Sequence, residues 1–246
     1  MNLKKINYKL VIEFEGSKFY GSQYQPNRRT VQGELEKVLG VLLRRRIQII
    51  LCGRTDAGVH AKGYVVNFIT DQIGNEKKFI KSLNATLPAD LAVLSIERVS
   101  LDFHARYSAK QRTYQYTLST VKSPLERRRI WYCRYPVRVS QMRKMSTVFL
   151  GTHDFSAFSV RGSDPKSRLC TINEFSLRKK NEFIVFTISA NRFLYKMVRM
   201  IIGTLVRAGI KYQDSRRIIE IMNQRDNRLA YAPVPAQGLC FLHVRY

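Results

Sequence analysis

Leu51–Phe68, LCGRTDAGVHAKGYVVNF, is the stretch around which the rest of the chain is organised. It leaves one apolar run, Ile47-Gln48-Ile49-Ile50-Leu51, and enters another, Tyr64-Val65-Val66-Asn67-Phe68, so its polar middle is a loop held at both ends by sheet. The loop carries one carboxylate, Asp56, between Arg54 and His60, and Gly53, Gly58 and Gly63 give the backbone freedom where a substrate needs close approach. The residues alone support two readings of Asp56. Thr55-Asp56-Ala57-Gly58 is sound turn chemistry, with the aspartate bonding its own backbone and glycine in the left-handed position. The same loop also offers a carboxylate to a bound molecule.

Outward from this loop, strands and helices follow a repeated order. Tyr8–Phe14 alternates apolar and polar residues as a strand, and a helix over Val31–Arg44 has Thr30 as N-cap and Leu35, Val38, Leu39 and Leu42 on one face. Arg44-Arg45-Arg46 places positive charge at the negative helix end, which is favourable without any ligand. The two strands around the Asp56 loop follow, then a helix over Glu76–Leu87 stopped by Pro88 and a strand over Leu91–Arg98. After the connector Leu101–Gln111 the order returns: strand Thr113–Leu118, helix Gln141–Leu150, strands Thr171–Arg178 and Phe183–Ala190, helix Leu194–Ala208 and strand Leu239–Arg245.

This pattern predicts an α+β fold of two tandem β-α-β-β-α-β, ferredoxin-like halves. They are expected to form one extended antiparallel sheet with helices on one face and an active-site cleft between halves. The expected division is residues 1–110, carrying the aspartate loop, and residues 111–246, carrying the Leu194 helix. That helix is apolar on more than one side, which predicts deep burial or a partner subunit. Two basic stretches stand outside the repeat: Ser119–Val139 with Arg127-Arg128-Arg129, and Phe155–Ser167 with Arg161-Gly162-Ser163-Asp164-Pro165-Lys166. Each reads equally as a functional insertion or a solvated connector.

Charge narrows the partners. The 246 residues hold 43 Lys and Arg against 18 Asp and Glu, a net charge of +25, which attracts polyanions. Nucleic acid is favoured over a membrane surface, because no run of eighteen apolar residues exists and the basic residues are scattered. The start, Met1-Asn2-Leu3-Lys4-Lys5-Ile6, lacks an apolar signal core, so a cytoplasmic location is expected. Cys52, Cys133, Cys170 and Cys240 stand far apart, without C-x-x-C spacing or a His cluster, which argues against zinc and a disulfide framework.

Gly53-Arg54-Thr55-Asp56-Ala57-Gly58-Val59-His60-Ala61 resembles the signature of the TruA family of tRNA pseudouridine synthases. Family-like segments recur in Gly16-Ser17-Lys18-Phe19-Tyr20-Gly21, Asp102-Phe103-His104-Ala105-Arg106, Phe193-Leu194-Tyr195-Lys196-Met197-Val198-Arg199 and Ala236-Gln237-Gly238-Leu239. The resemblance implies isomerisation of uridine to pseudouridine in tRNA at positions 38–40 of the anticodon stem-loop, by a homodimer and without metal or organic cofactor. It makes Asp56 the catalytic residue, Arg199 its salt-bridge partner, Arg54 a contact to the flipped nucleotide or its phosphate, and Tyr114 the ring that stacks on the target base. The residues themselves leave both arginines open as the partner of Asp56, and period two in Thr113–Leu118 assigns Tyr114 and Tyr116 to the core. Tyr116 and His60 are read as structural.

The chain departs from the family pattern at Ser22, where many members have tryptophan, and at Met200, where asparagine is usual. Neither is expected to touch the aspartate. Gly16–Gly21 lacks the ending of a phosphate loop. The alternative of another class is a non-catalytic RNA-binding or ribosome-associated protein on the same fold, against which Asp56, Tyr114 and Arg199 together argue. Phosphoryl transfer or hydrolysis would need a second carboxylate or a metal cluster near Asp56.

Overall fold

The computed structural model describes residues 5–160, 167–211 and 214–246. It divides into two compact units, Met1–Lys110 with Phe241–Tyr246, and Gln111–Cys240. The C-terminal strand, expected wholly in the second half, therefore passes most of its length to the first unit. Its residues have partners there: Phe241 meets the edge of Tyr64 with ring centroids 5.2 Å apart, and Lys110 N–H donates to the Arg245 carbonyl at 2.8 Å. The Tyr246 phenol donates to the Ala105 carbonyl at 3.0 Å.

The first unit comprises β1 (Ile6–Phe14), α1 (Val31–Leu43), β2 (Ile50–Leu51), β3 (His60–Thr70), α2 (Glu76–Thr86) and β4 (Leu91–Val99). β1 pairs antiparallel with β3 on one side and β4 on the other, and short β2 pairs antiparallel with β3, giving the order β4-β1-β3-β2. This is the strand order of a ferredoxin-like half. The alternation in β1 puts Tyr8, Leu10, Ile12 and Phe14 into the core with Val31, Leu35, Val38 and Leu39 of α1. The Thr30 hydroxyl accepts from Gly33 N–H at 3.2 Å to start α1, and Arg44 ends it in the left-handed conformation. Arg45 pairs with Asp71 at 2.6 Å, so the arginine triplet has a structural engagement.

The second unit comprises β5 (Gln111–Ser119), β6 (Trp131–Tyr132), α3 (Val139–Ser146), β7 (Gly151–Asp154), β8 (Leu169–Lys180), β9 (Phe183–Ala190), α4 (Met197–Ile210) and α5 (Ser215–Gln224), and β10 (Leu239–Arg245) starts in it. The antiparallel order β5-β9-β8-β7 repeats β1-β3-β2 of the first unit in its first three members, and β6 adds a short parallel pairing to β5. The fold is thus α+β with tandem halves and predominantly antiparallel pairing.

Several boundaries differ from the sequence reading, each for a local reason. The helix expected over Gln141–Leu150 is α3 followed by a 3-10 turn, Thr147–Phe149, because Gly151 takes φ +92° and turns the chain into β7. The helix expected from Leu194 starts at Met197, since Lys196 stands at φ +59° and cannot extend it. Strand pairing over Ile47–Leu51 is confined to β2. Helix α5 was not anticipated; the Asp214 carboxylate accepts from Arg216 N–H at 2.9 Å and Ile218, Ile221 and Met222 form its buried face. The Ser119–Val139 stretch contains β6, and Phe155–Ser167 begins with buried Phe155 and Phe158, so neither is simply a solvated loop. Arg161–Lys166 lie outside the described residues.

Candidate active site

β3 begins at His60, four residues earlier than expected, and confines the Asp56 loop to Cys52–Val59. Cys52 N–H donates to the Val65 carbonyl at 2.9 Å, and the Tyr64 phenol donates to the Gly53 carbonyl, which fixes the way in. Val59 N–H returns to the Asp56 carbonyl at 3.2 Å, with Gly58 at φ +80°. The turn and the left-handed glycine expected over Thr55–Gly58 are therefore present as local structure. The turn also leaves the Asp56 side chain half-buried, with Arg54 exposed two residues before it.

A second segment, Gly16–Ser22, braces this loop. Gly16 N–H donates to His60 Nδ1 at 3.0 Å, which gives the histidine a structural hydrogen bond. A Cβ on Gly16 would lie 1.9 Å from the Val59 carbonyl oxygen, and one on Gly21 would lie 2.6 Å from that of Thr55. Those two glycines are thus required by close backbone approach. Ser22 N–H donates to the Thr55 carbonyl at 3.2 Å, Thr55 N–H donates to Ser22 Oγ at 2.9 Å, and Gly58 N–H donates to the Phe19 carbonyl at 3.3 Å. The bonds of Ser22 go to Thr55, the residue before the aspartate, a contact that the expectation for Ser22 did not include. No local sequence signal marks this contact, because it joins two loops distant in the chain.

The brace is itself anchored. Tyr20 N–H donates to the Arg29 carbonyl at 2.8 Å, and Gln32 N–H donates to that of Ser22 at 2.9 Å. The Arg29 guanidinium lies over the Phe19 ring, 4.3 Å from its centroid, and bonds Asp90 through two nitrogens at 2.8 and 2.7 Å. Hydrogen bonding to Arg29 holds the Asp90 carboxyl below its ordinary value, and the partnership raises the guanidinium in turn.

Arg54 and Asp56 lie in the first unit; Tyr114 and Arg199 lie in the second. Tyr114 on β5 is 7% exposed, and its ring meets Phe193 edge-on with centroids 5.1 Å apart. Tyr116 is in the core, as expected, with its phenol donating to the Pro235 carbonyl at 2.9 Å. Burial pushes the Tyr116 phenol well above its ordinary value, while the charge of Arg199 pulls it the other way.

Arg199, half-buried on α4, donates from Nε to the Val234 carbonyl at 2.7 Å, and Val234 N–H donates back to the Arg199 carbonyl at 3.2 Å. These acceptors come from Ala232-Pro233-Val234-Pro235, where prolines favour an extended backbone whose carbonyls are not taken up by helical bonding. The segment lies hard against α4, since a Cβ on Gly203 would stand 2.6 Å from the Ala232 oxygen. Sequence reasoning missed Phe193 and Val234 as partners, although the flanking prolines were a usable signal.

The first unit provides a loop-borne carboxylate, and the second provides an oriented guanidinium and a buried aromatic ring. Among the described residues, no group of three or more His, Cys, Asp or Glu is placed to hold a metal ion, and no helix is long and apolar enough to cross a membrane. Compared with known proteins, the chain matches the tRNA pseudouridine synthase family model over residues 10–108 and 145–246. The chain belongs to the tRNA pseudouridine synthase family.

It is 38% identical over 242 residues to tRNA pseudouridine synthase A of Acetivibrio thermocellus, covering 98% of this chain and 99% of the relative. It is also 37% identical to the protein of that name from Clostridium acetobutylicum, with the same coverage. The protein of that name from Halalkalibacterium halodurans is 39% identical over 240 residues, 96% of this chain and 90% of the relative. Within the pseudouridine synthase match fall Arg54, Asp56 and Arg199, whereas Tyr114 lies in the stretch between its two blocks.

Proposed function

We propose that this chain isomerises uridine to pseudouridine in tRNA, with Asp56 as the catalytic carboxylate. The observation that carries this is the family match across a chain in which the loop around Asp56 is held on both sides of the aspartate, by hydrogen bonds at Thr55 and at Gly58. The reaction breaks the bond from C1′ to N1 and forms one from C1′ to C5. The C5 proton leaves, N1 gains one, and no electron is transferred, so side chains suffice. Asp56 attacks C1′ or stabilises the positive charge that develops there, which requires it ionised.

Arg199 supplies the positive charge that favours the ionised carboxylate, and its Nε bond to Val234 sets the plane of the guanidinium. Arg54, exposed on the same loop as Asp56, contacts the flipped nucleotide or its phosphate. Tyr114 stacks on the extruded base and replaces part of the stacking that the base gave up. The net charge of +25 supports a polyanionic substrate. The uridines are those on the 3′ side of the lower anticodon stem, and the enzyme works in the cytoplasm as a homodimer.

The test is to incubate purified protein with unmodified tRNA transcripts and map pseudouridine. Conversion confined to the 3′ side of the lower anticodon stem is expected. Undiminished binding with no conversion of any uridine would favour the non-catalytic RNA-binding alternative.

A further inference from the structure

Ser22 and Thr55 hold one another by two hydrogen bonds that pass in opposite directions. Thr55 N–H donates to Ser22 Oγ at 2.9 Å in a buried setting, and Ser22 N–H donates to the Thr55 carbonyl at 3.2 Å. Ser22 is 0% exposed. The Thr55 hydroxyl is also buried, with no hydrogen-bond partner among the described residues, so backbone bonds orient this residue. The next residue is Asp56. On its other side Gly58 N–H donates to the Phe19 carbonyl at 3.3 Å, from the same bracing segment.

We infer that Ser22 is a positioning residue for the isomerisation: its hydroxyl accepts the Thr55 N–H and fixes the peptide that presents the Asp56 carboxylate. The inference rests on Asp56 being the catalytic residue. Without the hydroxyl, the Thr55 N–H loses its acceptor in a dry site, and the loop shifts until that donor is satisfied. A reacting carboxylate displaced by about 1 Å can lose about 100-fold in rate. Arg54 is the one Lys or Arg among Cys52–Val59, so most phosphate contacts lie outside this loop and the loss falls mainly on the chemical step.

The test compares wild type, Ser22→Ala, Ser22→Thr, Ser22→Val and Asp56→Asn on one tRNA, following tritium release from C5 of labelled uridine. Ser22→Ala is expected to lower kcat by about 10-fold or more while KM for tRNA stays within about 2-fold. Thr and Val have nearly the same shape and differ by the hydroxyl, so Ser22→Thr should run well ahead of Ser22→Val even if both are crowded. That pair carries the test should Ser22→Ala melt below the assay temperature. A wild-type kcat in Ser22→Ala, a loss confined to KM, or equal rates in Ser22→Thr and Ser22→Val would overturn the inference. An inactive Asp56→Asn beside a fully active Ser22→Ala overturns the role of Ser22 alone, whereas an active Asp56→Asn removes the reading beneath it.

Discussion

Arg199 and Val234 are joined twice, by the guanidinium Nε donating to the Val234 carbonyl at 2.7 Å and by Val234 N–H donating to the Arg199 carbonyl at 3.2 Å. The pair sets the rotation of the guanidinium about its own side chain. Lysine keeps the charge but has neither the Nε donor nor a planar fork. Arg199→Lys should therefore lower kcat by about 10- to 100-fold, the equivalent of about 1.5–3 kcal/mol for a hydrogen bond to a charged group, while the protein stays folded. Steady-state kinetics check this, and an undiminished kcat would leave Arg199 as a helix-packing residue.

Tyr114 is 7% exposed and rests against Phe193, so removing the ring would open a core cavity and confuse two effects. Tyr114→Phe keeps the ring and deletes the hydroxyl. Melting should shift by less than about 1 kcal/mol equivalent, and isomerisation should slow without loss of tRNA affinity. Single-turnover rates measure this; an unaffected rate would restrict Tyr114 to stacking.

These positions show what the sequence could and could not convey. Period-two alternation placed Tyr8, Leu10, Ile12, Phe14 and Tyr116 in the core, because burial on one face of a strand imprints directly on spacing. The aspartate loop was legible through its flanking apolar runs and its turn residues. Contacts between loops were not. The Ser22 to Thr55 clasp and the Arg29 to Asp90 pair depend on backbone positions that only tertiary packing sets. Helix α5 was missed although Asp214 and the spacing of Ile218, Ile221 and Met222 encode it, since the flanking polar residues masked the apolar stripe. The end of the last strand grouped with the first unit because Phe241 packs on Tyr64, a pairing no local periodicity reports.

Acid should loosen the segment that braces the aspartate loop. Hydrogen bonding to Arg29 lowers the Asp90 carboxyl below its ordinary 3.8 in the folded protein. A lowered folded value means that the ion pair contributes its full stability above pH 3.8 and loses it as the pH falls below that through the folded value. Asp90→Asn should melt earlier than wild type at neutral pH and lose less between neutrality and pH about 3. Melting curves across that range decide it, and an identical acid loss in both proteins would contradict the assignment.

Affinity for tRNA should fall steeply with salt, because the charge of +25 acts through phosphates that release counterions on binding. Neutralising about five phosphates gives a slope of about −4 in log affinity against log salt. Fluorescence anisotropy over a salt series measures it. A flat response would show that the basic surface does not bind the RNA.

The most direct measurement is pseudouridine formation by Asp56→Asn beside wild type on the same tRNA, with affinity measured at one fixed salt concentration. The substitution keeps the size of the side chain and removes the ionised oxygen pair. The account predicts that conversion disappears while tRNA affinity changes by less than about 3-fold, since Asp56 serves the reaction and phosphate contacts serve binding. Conversion at the wild-type rate by Asp56→Asn would contradict it.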